Sequence, residues 1–167
     1  ARKREESLLD ISESVSAISG SDIDARNIKG LDKIGLLIPN LNLAKRADGY
    51  PNVSIRGIGA FGLTQGVGFY LDDVQLFSDA SSRFGDLDRI EVLKGPQGIL
   101  YGGSNIGGAV KFVSKRPSAD EGFTGRVKYQ VGQQSINDAE ISANIPLQGD
   151  WAMRVFSYTR DDDGFIT

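Results

Sequence analysis

The chain has 167 residues, which is enough for one domain of ordinary size or for a small domain with an attached segment. Apolar residues make up 40% of it and charged residues 25%, so it can bury a core, while a net charge of −3 with interspersed signs argues against nucleic-acid binding. Cysteine and histidine are both absent, which excludes disulfides, thiolate nucleophiles, Ser-His-Asp triads and the common zinc sites. An all-carboxylate metal site stays open on composition alone, but no motif supports it. We expect no catalytic residues, no enzyme activity and no resident cofactor or metal.

The first 117 residues predict a compact α+β domain with a small mixed sheet. Residues 14–18 alternate like a strand, and Ser21 or Asp22 is expected to cap a short helix that runs to Asn27. A second helix is expected over residues 31–37. Alternating or apolar runs predict five further strands, at residues 41–43, 52–56, 67–73, 89–93 and 109–113.

After Pro117 the pattern changes to longer segments in which apolar and polar residues alternate strictly. These segments are residues 123–131 and 139–148, and a third begins at Trp151 after the tight turn Gly149-Asp150. Such alternation is typical of transmembrane β-barrel strands and equally of a soluble antiparallel sheet with one face on a core. Because three strands would leave an open edge that lipid does not tolerate, we expect the chain to be part of a longer protein.

Two glycine-rich segments raise the alternative of a soluble nucleotide-binding domain. Gly57–Gly62 matches the pattern G-x-G-x-x-G, which holds a pyrophosphate only where a helix begins directly after it. Here the chain runs through Leu63–Gly66 toward another strand, and the second segment, Gly95–Gly108, lacks the Gly-Lys-Ser/Thr of a P-loop. Carboxylate clusters are the remaining candidates for a cation site or an acid/base pair, but solvated turns are the more typical interpretation. They lie at residues 72–73, 86–88 and 161–163.

Two basic residues stand out because each ends a strand where the chain turns at a glycine. Arg56 precedes Gly57, and Lys94 precedes Gly95. They are either exposed surface cations or, inside a barrel, partners of carboxylates on the barrel wall, because an unpaired buried charge is costly.

Three segments, in this order along the chain, resemble the plug of TonB-dependent outer-membrane receptors. The first two are NVSIRGIG, Asn52–Gly59, and GFYLDDV, Gly68–Val74, and the longest is RIEVLKGPQGILYGGSNIGGAVKFVSKRP, Arg89–Pro117. The opening ARKREESLLDISESVSAIS is similar to the stretch that follows the TonB box in this family. The resemblance covers essentially the whole chain and implies a TonB box just upstream of Ala1.

The resemblance implies a plug domain over residues 1–117 and the first strands of a barrel over residues 118–167, in a whole protein that forms a plugged 22-stranded barrel. It implies a receptor in the outer membrane of a Gram-negative bacterium, with the plug inside the barrel lumen. Such a receptor binds a scarce large nutrient, for example a ferric siderophore, and imports it with proton-motive force relayed by TonB. The expected partners are therefore TonB, outer-membrane lipid and lipopolysaccharide, and the small-molecule ligand.

The resemblance also assigns roles to individual residues. Arg56 and Lys94 match the positions where basic plug residues pair with barrel glutamates and lock the plug. The ligand is expected at the apical loops of the plug instead. The candidate ligand-binding residues there are Arg46, Asp48, Gly49, Tyr50, Gly62, Leu63, Phe77, Ser78 and Asp79.

The ligand itself stays open among ferric siderophores, vitamin B12, haem, glycans and degraded plant compounds. The apical segments contain no histidine or cysteine, which disfavours direct ligation of haem or a metal by the plug. A receptor used mainly for signalling, with a further folded domain before Ala1, is the other alternative.

Overall fold

The computed structural model describes residues 14–28, 34–35, 37–45, 51–58, 66–76, 85–95, 107–132 and 137–161. The chain divides into two compact units, Ala1–Ser114 and Lys115–Thr167. Among the described residues, no helix has both the length and the apolar character that a membrane span requires.

In its described residues, the first unit contains a five-stranded mixed sheet, a two-stranded hairpin and one short helix. Its elements are β1 Ser14–Ser19, α1 Gly20–Ala25, β2 Leu41–Lys45, β3 Pro51–Ile55, β4 Val67–Leu71, β5 Val74–Leu76, β6 Leu87–Lys94 and β7 Gly108–Ser114. The order in the large sheet is β1-β6-β7-β4-β5, and β2 pairs with β3 separately. β4 runs parallel to β7, whereas the other neighbours are antiparallel. The predicted α+β fold with a small mixed sheet is confirmed.

The short helix α1 begins earlier than the sequence predicted. Ser19 is the N-cap, and its hydroxyl accepts a hydrogen bond from the backbone N–H of Asp22 at 3.2 Å. Ser19 takes this role because β1 still extends to it, so the chain turns directly from strand into helix. The second predicted helix falls largely outside the described residues; within it, the carbonyl of Ile34 accepts from the N–H groups of Leu37 and Ile38.

The core of the first unit lies on one face of the large sheet. Side chains alternate across a strand, so one set of positions on β6 and β7 points to this face. Ile90, Val92, Val110 and Phe112 form its centre and are fully shielded from solvent. Burying a side chain of this size stabilises the folded state by about 1.5–3 kcal/mol, so this cluster holds the sheet together.

The second unit is an antiparallel meander of three longer strands. They are β8 Thr124–Val131, β9 Asn137–Pro146 and β10 Ala152–Asp161, in the order β10-β9-β8. The predicted turn at Gly149-Asp150 joins β9 to β10, with Gly149 at a φ of 69° and the N–H of Leu147 donating to the carbonyl of Trp151 at 2.8 Å.

The two faces of this meander differ in polarity and in burial. The register aligns Val127 with Ile141 and Met153 with Ile145, so one face is apolar across all three strands. That face is exposed: its large members are Val127, Tyr129, Val131, Ile141, Met153 and Val155. On the other face Asp138, Ser142 and Asn144 are buried. The hydrophobic clusters among the described residues include no member of this apolar face.

Candidate functional site

Arg56 lies at the tip of a tight turn that follows β3. The N–H of Ile55 donates to the carbonyl of Ile58 at 2.9 Å, and the N–H of Ile58 donates back to the carbonyl of Ile55 at 3.0 Å. Arg56 and Gly57 therefore occupy the two central positions, and both have positive φ, at 52° and 80°. Such pairs of positive φ define a type I′ turn, in which the central side chains point away from the sheet. The guanidinium is accordingly exposed.

Lys94 is the last residue of β6, and the chain turns directly after it. Gly95 has a φ of 108°, a conformation that L side chains rarely adopt, so this glycine permits the sharp exit from the strand. Its N–H donates to the carbonyl of Gly107 at 3.1 Å. The predicted strand end at Lys94 is therefore confirmed, and its side chain is half-buried.

Gly107 and Gly108 bring these two basic residues to the same end of the large sheet. A Cβ on Gly107 would lie 2.8 Å from the carbonyl oxygen of Ile58, and one on Gly108 would collide with the carbonyl of Leu93 and approach Ile55 Cδ1 to 2.9 Å. Only glycine allows this close approach of backbones. We call Gly107–Gly108 the glycine junction, because it packs against the residues that flank Arg56 and Lys94.

Neither cation at the glycine junction has a salt-bridge partner among the residues that the structure describes. Arg89 and Lys111, on the same sheet, do form salt bridges with described carboxylates. Arg56 and Lys94 are thus positive groups on segments that both contact the glycine junction. Their role in locking the plug stays a prediction.

The nine predicted ligand-binding residues lie outside the described part of the chain. They fall in three segments, residues 46–50, 62–63 and 77–79. The first segment connects β2 to β3, and the third follows β5. Their role in ligand binding stays a prediction.

The acidic pair Asp72-Asp73 forms the predicted turn, but its carboxylates are more than solvated surface groups. Both residues have positive φ, at 46° and 75°, between β4 and β5. Asp73 accepts a salt bridge from Lys111 at 2.8 Å, and the carboxylate of Asp72 accepts hydrogen bonds from the N–H and the hydroxyl of Ser114. Among the described residues, no group of three potential metal ligands comes together.

Sequence reasoning missed a charged row on the second face of the large sheet. Glu91 on β6 and Lys111 on β7 are directly opposite in register, and only 1% and 7% of their surfaces are exposed. Arg89 donates from Nε to Glu91 Oε1 at 2.7 Å, and Lys111 reaches Asp73. The row therefore alternates in sign across the sheet, which lets two buried charges persist.

A signal for this row is present in the sequence. RIEVL and AVKFV each carry one charged residue of opposite sign in the middle of an apolar strand. Two such strands that pair antiparallel can place their charges opposite one another, which favours an internal salt-bridge row over two isolated charges. The register that puts Glu91 against Lys111 depends on the sheet order, which the sequence did not show.

The surroundings of Arg89 change its pKa. Burial on its own lowers the pKa of this guanidinium, but the hydrogen bonds and Coulombic attraction of Glu91 and Asp88 outweigh burial and raise it above its usual value. A raised pKa means that any stabilisation by this charge is complete below the pKa of the unfolded state and is lost only as the pH rises above the folded-state value. Arg89 is therefore cationic throughout the physiological range.

The chain matches the family described as the TonB-dependent receptor plug domain over residues 7–109. This is more than half of the chain, so the chain belongs to the plug family of TonB-dependent receptors. The match includes Gly57–Gly62, the segment behind the nucleotide-binding alternative. That alternative requires a helix directly after Gly62, but β4 begins at Val67.

Several known proteins are similar to the chain over most of its length. It is 29% identical to the ferrioxamine receptor of Yersinia enterocolitica, over 98% of the chain and 23% of that protein. It is 27% identical to the ferrichrome outer membrane transporter/phage receptor of Escherichia coli, over 89% of the chain and 20% of that protein. The chain therefore spans about a fifth of the length of these relatives.

Solved structures with the same fold are receptors for ferric complexes. The ferripyoverdine receptor of Pseudomonas aeruginosa aligns with a TM-score of 0.75 at 22% identity, over 92% of this chain and 21% of that one. The ferric yersiniabactin uptake receptor of Yersinia pestis aligns with a TM-score of 0.73 at 24% identity, over 81% and 22%. These likenesses confirm the predicted fold class, a plug followed by antiparallel strands.

Proposed function

We propose that the chain is the plug and the first barrel strands of a TonB-dependent outer-membrane receptor that imports a ferric siderophore. Residues 1–117 form the plug in this proposal, and residues 118–167 form the first strands of the barrel. The receptor is a transporter rather than an enzyme. It works in the outer membrane of a Gram-negative bacterium, with TonB, lipid, lipopolysaccharide and the siderophore as partners.

The observation that carries the proposal is the arrangement of faces on β8–β10. An exposed apolar face across three consecutive strands is expected where lipid replaces water, and a polar face is expected toward a lumen. In a soluble protein the same residues would form an exposed apolar patch of the kind that marks an interaction surface or an aggregation risk. The preceding residues belong to the plug family of outer-membrane receptors, so lipid contact is the explanation of this apolar face that we favour.

The ligand class is inferred from the relatives. The similar proteins include receptors for ferrioxamine and ferrichrome, and the similar structures include receptors for ferripyoverdine and ferric yersiniabactin. All four names denote iron complexes of small chelators, so a ferric siderophore is the ligand that we propose. Ligand contacts are assigned to the apical residues named above, among them Tyr50 and Phe77.

Arg56 and Lys94 are proposed to lock the plug to the barrel through carboxylates on its wall. We expect these carboxylates on barrel strands other than β8–β10. On those three strands Asp138 is aligned with Arg160 and Glu140 with Lys128, so the wall carboxylates already have cations opposite them in register.

Membrane fractionation of the source cells tests the receptor class. An antibody to this chain should detect an outer-membrane band several times larger than 18.0 kDa that shifts in mobility on boiling, as folded barrels do. A soluble band near 18 kDa would contradict the proposal.

Iron uptake tests the ligand class separately. Cells that lack other siderophore receptors and express the full-length protein should take up radiolabelled iron from one of ferrioxamine B, ferrichrome or a ferric catecholate, and only when TonB is present. An outer-membrane protein that imports none of these complexes would retain the receptor class and refute the siderophore assignment.

The proposed lock is tested by replacing its two cations. Arg56→Ala with Lys94→Ala should loosen the plug and lower TonB-dependent uptake, because the wall carboxylates lose their partners. Arg26→Ala is the matched control, since Arg26 is an exposed cation of the same unit and lies away from the glycine junction. Equal uptake in both variants would rule out the lock.

A further inference from the structure

The end of the large sheet is fastened by a side chain from a distant turn. Ser114, the last residue of β7, donates its N–H to Asp72 Oδ1 at 2.9 Å, and its hydroxyl donates to the other carboxylate oxygen. The N–H of Asp72 donates in return to the carbonyl of Phe112 at 3.0 Å. Three hydrogen bonds thus hold the point at which the chain leaves the first unit.

The segment that begins the second unit is fastened in a similar way. Asn144 on β9 is fully buried, and both ends of its amide are used. Its Oδ1 accepts from the N–H of Ser118 at 2.9 Å, and its Nδ2 donates to the carbonyls of Ser118 at 2.8 Å and Gly122 at 3.0 Å. The Asn144 side chain thereby supplies hydrogen bonds to an irregular segment whose backbone does not pair with a strand.

Both ends of the connection between the units are therefore tied, each within its own unit. Between Ser114 and Ser118 lie only Lys115, Arg116 and Pro117. Four Cα steps span at most about 14 Å even when fully extended. The connection is too short to absorb a large displacement while both sets of hydrogen bonds persist.

We propose that Asp72 and Asn144 form a two-point anchor that keeps the C-terminal end of the plug attached to the first barrel hairpin while TonB pulls on the plug. This inference rests on the proposed function. Under that load, the rearrangement that opens the barrel takes place in other parts of the plug. The anchor prevents the plug from leaving the lumen as a whole.

The chemistry of each residue fits this role. Asn144 accepts one hydrogen bond and donates two, a combination that aspartate cannot reproduce, since a carboxylate would face the carbonyls of Ser118 and Gly122 with negative charge. Asp72 sits at positive φ, which Gly tolerates better than Ala. Asp72→Gly therefore removes the fastening without adding backbone strain, and Asn144→Asp disables the second point with little change in volume.

Vancomycin sensitivity of cells that express the full-length receptor tests the anchor, because this antibiotic is too large to cross an intact outer membrane. The double variant Asp72→Gly with Asn144→Asp should lower the minimal inhibitory concentration at least fourfold in cells that contain TonB, and leave it unchanged in cells that lack TonB. The matched control is Asn40→Gly with Ser142→Ala. Asn40 also has positive φ, at 65°, and Ser142 is the preceding buried position on the same face of β9.

Two results would overturn the anchor. In one, the double variant and the control show the same vancomycin sensitivity. In the other, sensitivity rises equally with and without TonB, which would mean that the hydrogen bonds stabilise only the resting plug. Absence of the wild-type receptor from the outer-membrane fraction would refute the proposed function itself, and fractionation detects that outcome independently of the antibiotic.

Hydrogen exchange on the purified wild-type receptor tests the anchor without any substitution, in case the double variant does not fold. The amide of Ser118 lies outside any strand, yet it should exchange at least 100-fold more slowly than in an unstructured peptide, because it is bonded to a buried side chain. Exchange at the rate of an unstructured peptide would show that the second point of the anchor does not hold, and the inference would fail.

Discussion

The two sheets of this chain place their polar and apolar faces in opposite ways. In the first unit, Val92 and Phe112 are shielded in a core, and the charges of Glu91 and Lys111 on the other face are shielded by pairing. On β8–β10 the apolar Val127 and Ile141 are exposed, and polar groups are buried. Alternation along a strand thus determines which residues share a face, while the surrounding medium determines which face is covered.

The largest effect is expected in the core of the first unit. Phe112→Ala removes a fully buried aromatic ring and should lower the free energy of unfolding of the plug by about 3–5 kcal/mol. Val74→Ala is the control, because Val74 is an exposed residue of the same sheet and should change stability by less than about 0.5 kcal/mol. Denaturant titration of the receptor, monitored at the plug, measures both. Equal losses would show that Phe112 is not a core residue.

The next effect distinguishes the second sheet from the first. Ile141→Arg places a cation on the exposed apolar face of β9 and should destabilise the barrel by about 2–4 kcal/mol where lipid covers that face. Gln130→Arg, on the polar face of β8, should have little effect. Urea unfolding of the receptor in lipid vesicles gives both values. If the two substitutions are equally tolerated, the assignment of faces to lipid and lumen is wrong.

A smaller loss is expected from the charged row. Lys111→Met removes the cation that reaches Asp73 and lies opposite Glu91, and should lower plug stability by about 2 kcal/mol, between the values for exposed and for buried ion pairs. Lys115→Met, a nearby lysine outside the sheet, serves as the reference in the same unfolding experiment. A Lys111 variant as stable as the reference would mean that the row adds nothing to the fold.

The smallest effect concerns the start of α1. Ser19→Ala removes the hydroxyl that accepts from the N–H of Asp22 and should lower plug stability by about 1 kcal/mol. Ser21→Ala removes one of the two residues that the sequence predicted as caps, and should have a smaller effect. The difference in denaturation midpoint between these variants identifies the cap. A larger loss for Ser21 would restore the sequence-based assignment.

The sequence predicted the strands well where alternation or apolar runs were long enough to recognise. Residues 89–93 and 109–113 became β6 and β7, and the alternating segments after Pro117 became β8–β10. β5 was missed because its three residues are too few to establish a period. The N-cap of α1 is Ser19 and not Ser21 or Asp22, because β1 continues to Ser19. Local helix propensity does not show where the preceding strand ends.

The candidate site was predictable in part. Arg56 and Lys94 were identified from strand ends next to glycines, but their convergence required the register that brings Gly107 and Gly108 between them. Glu91 and Lys111 are visible in the sequence as single charges within apolar strands. The sequence alone does not show that the two strands pair with these residues opposite each other. The hydrogen bonds of Asp72 and Asn144 join positions 42 and 26 residues apart, a separation that no local pattern encodes.

The glycine junction has a consequence for exchanging plugs between receptors. Because Gly107 and Gly108 leave no room for a side chain, the segments that carry Arg56 and Lys94 pack closely against this junction. If Arg56 and Lys94 lock the plug as proposed, a foreign barrel would need two acidic groups at matching positions on its wall. Compatibility in chimeric receptors then becomes a question of geometry between two charges, which overall sequence similarity does not measure.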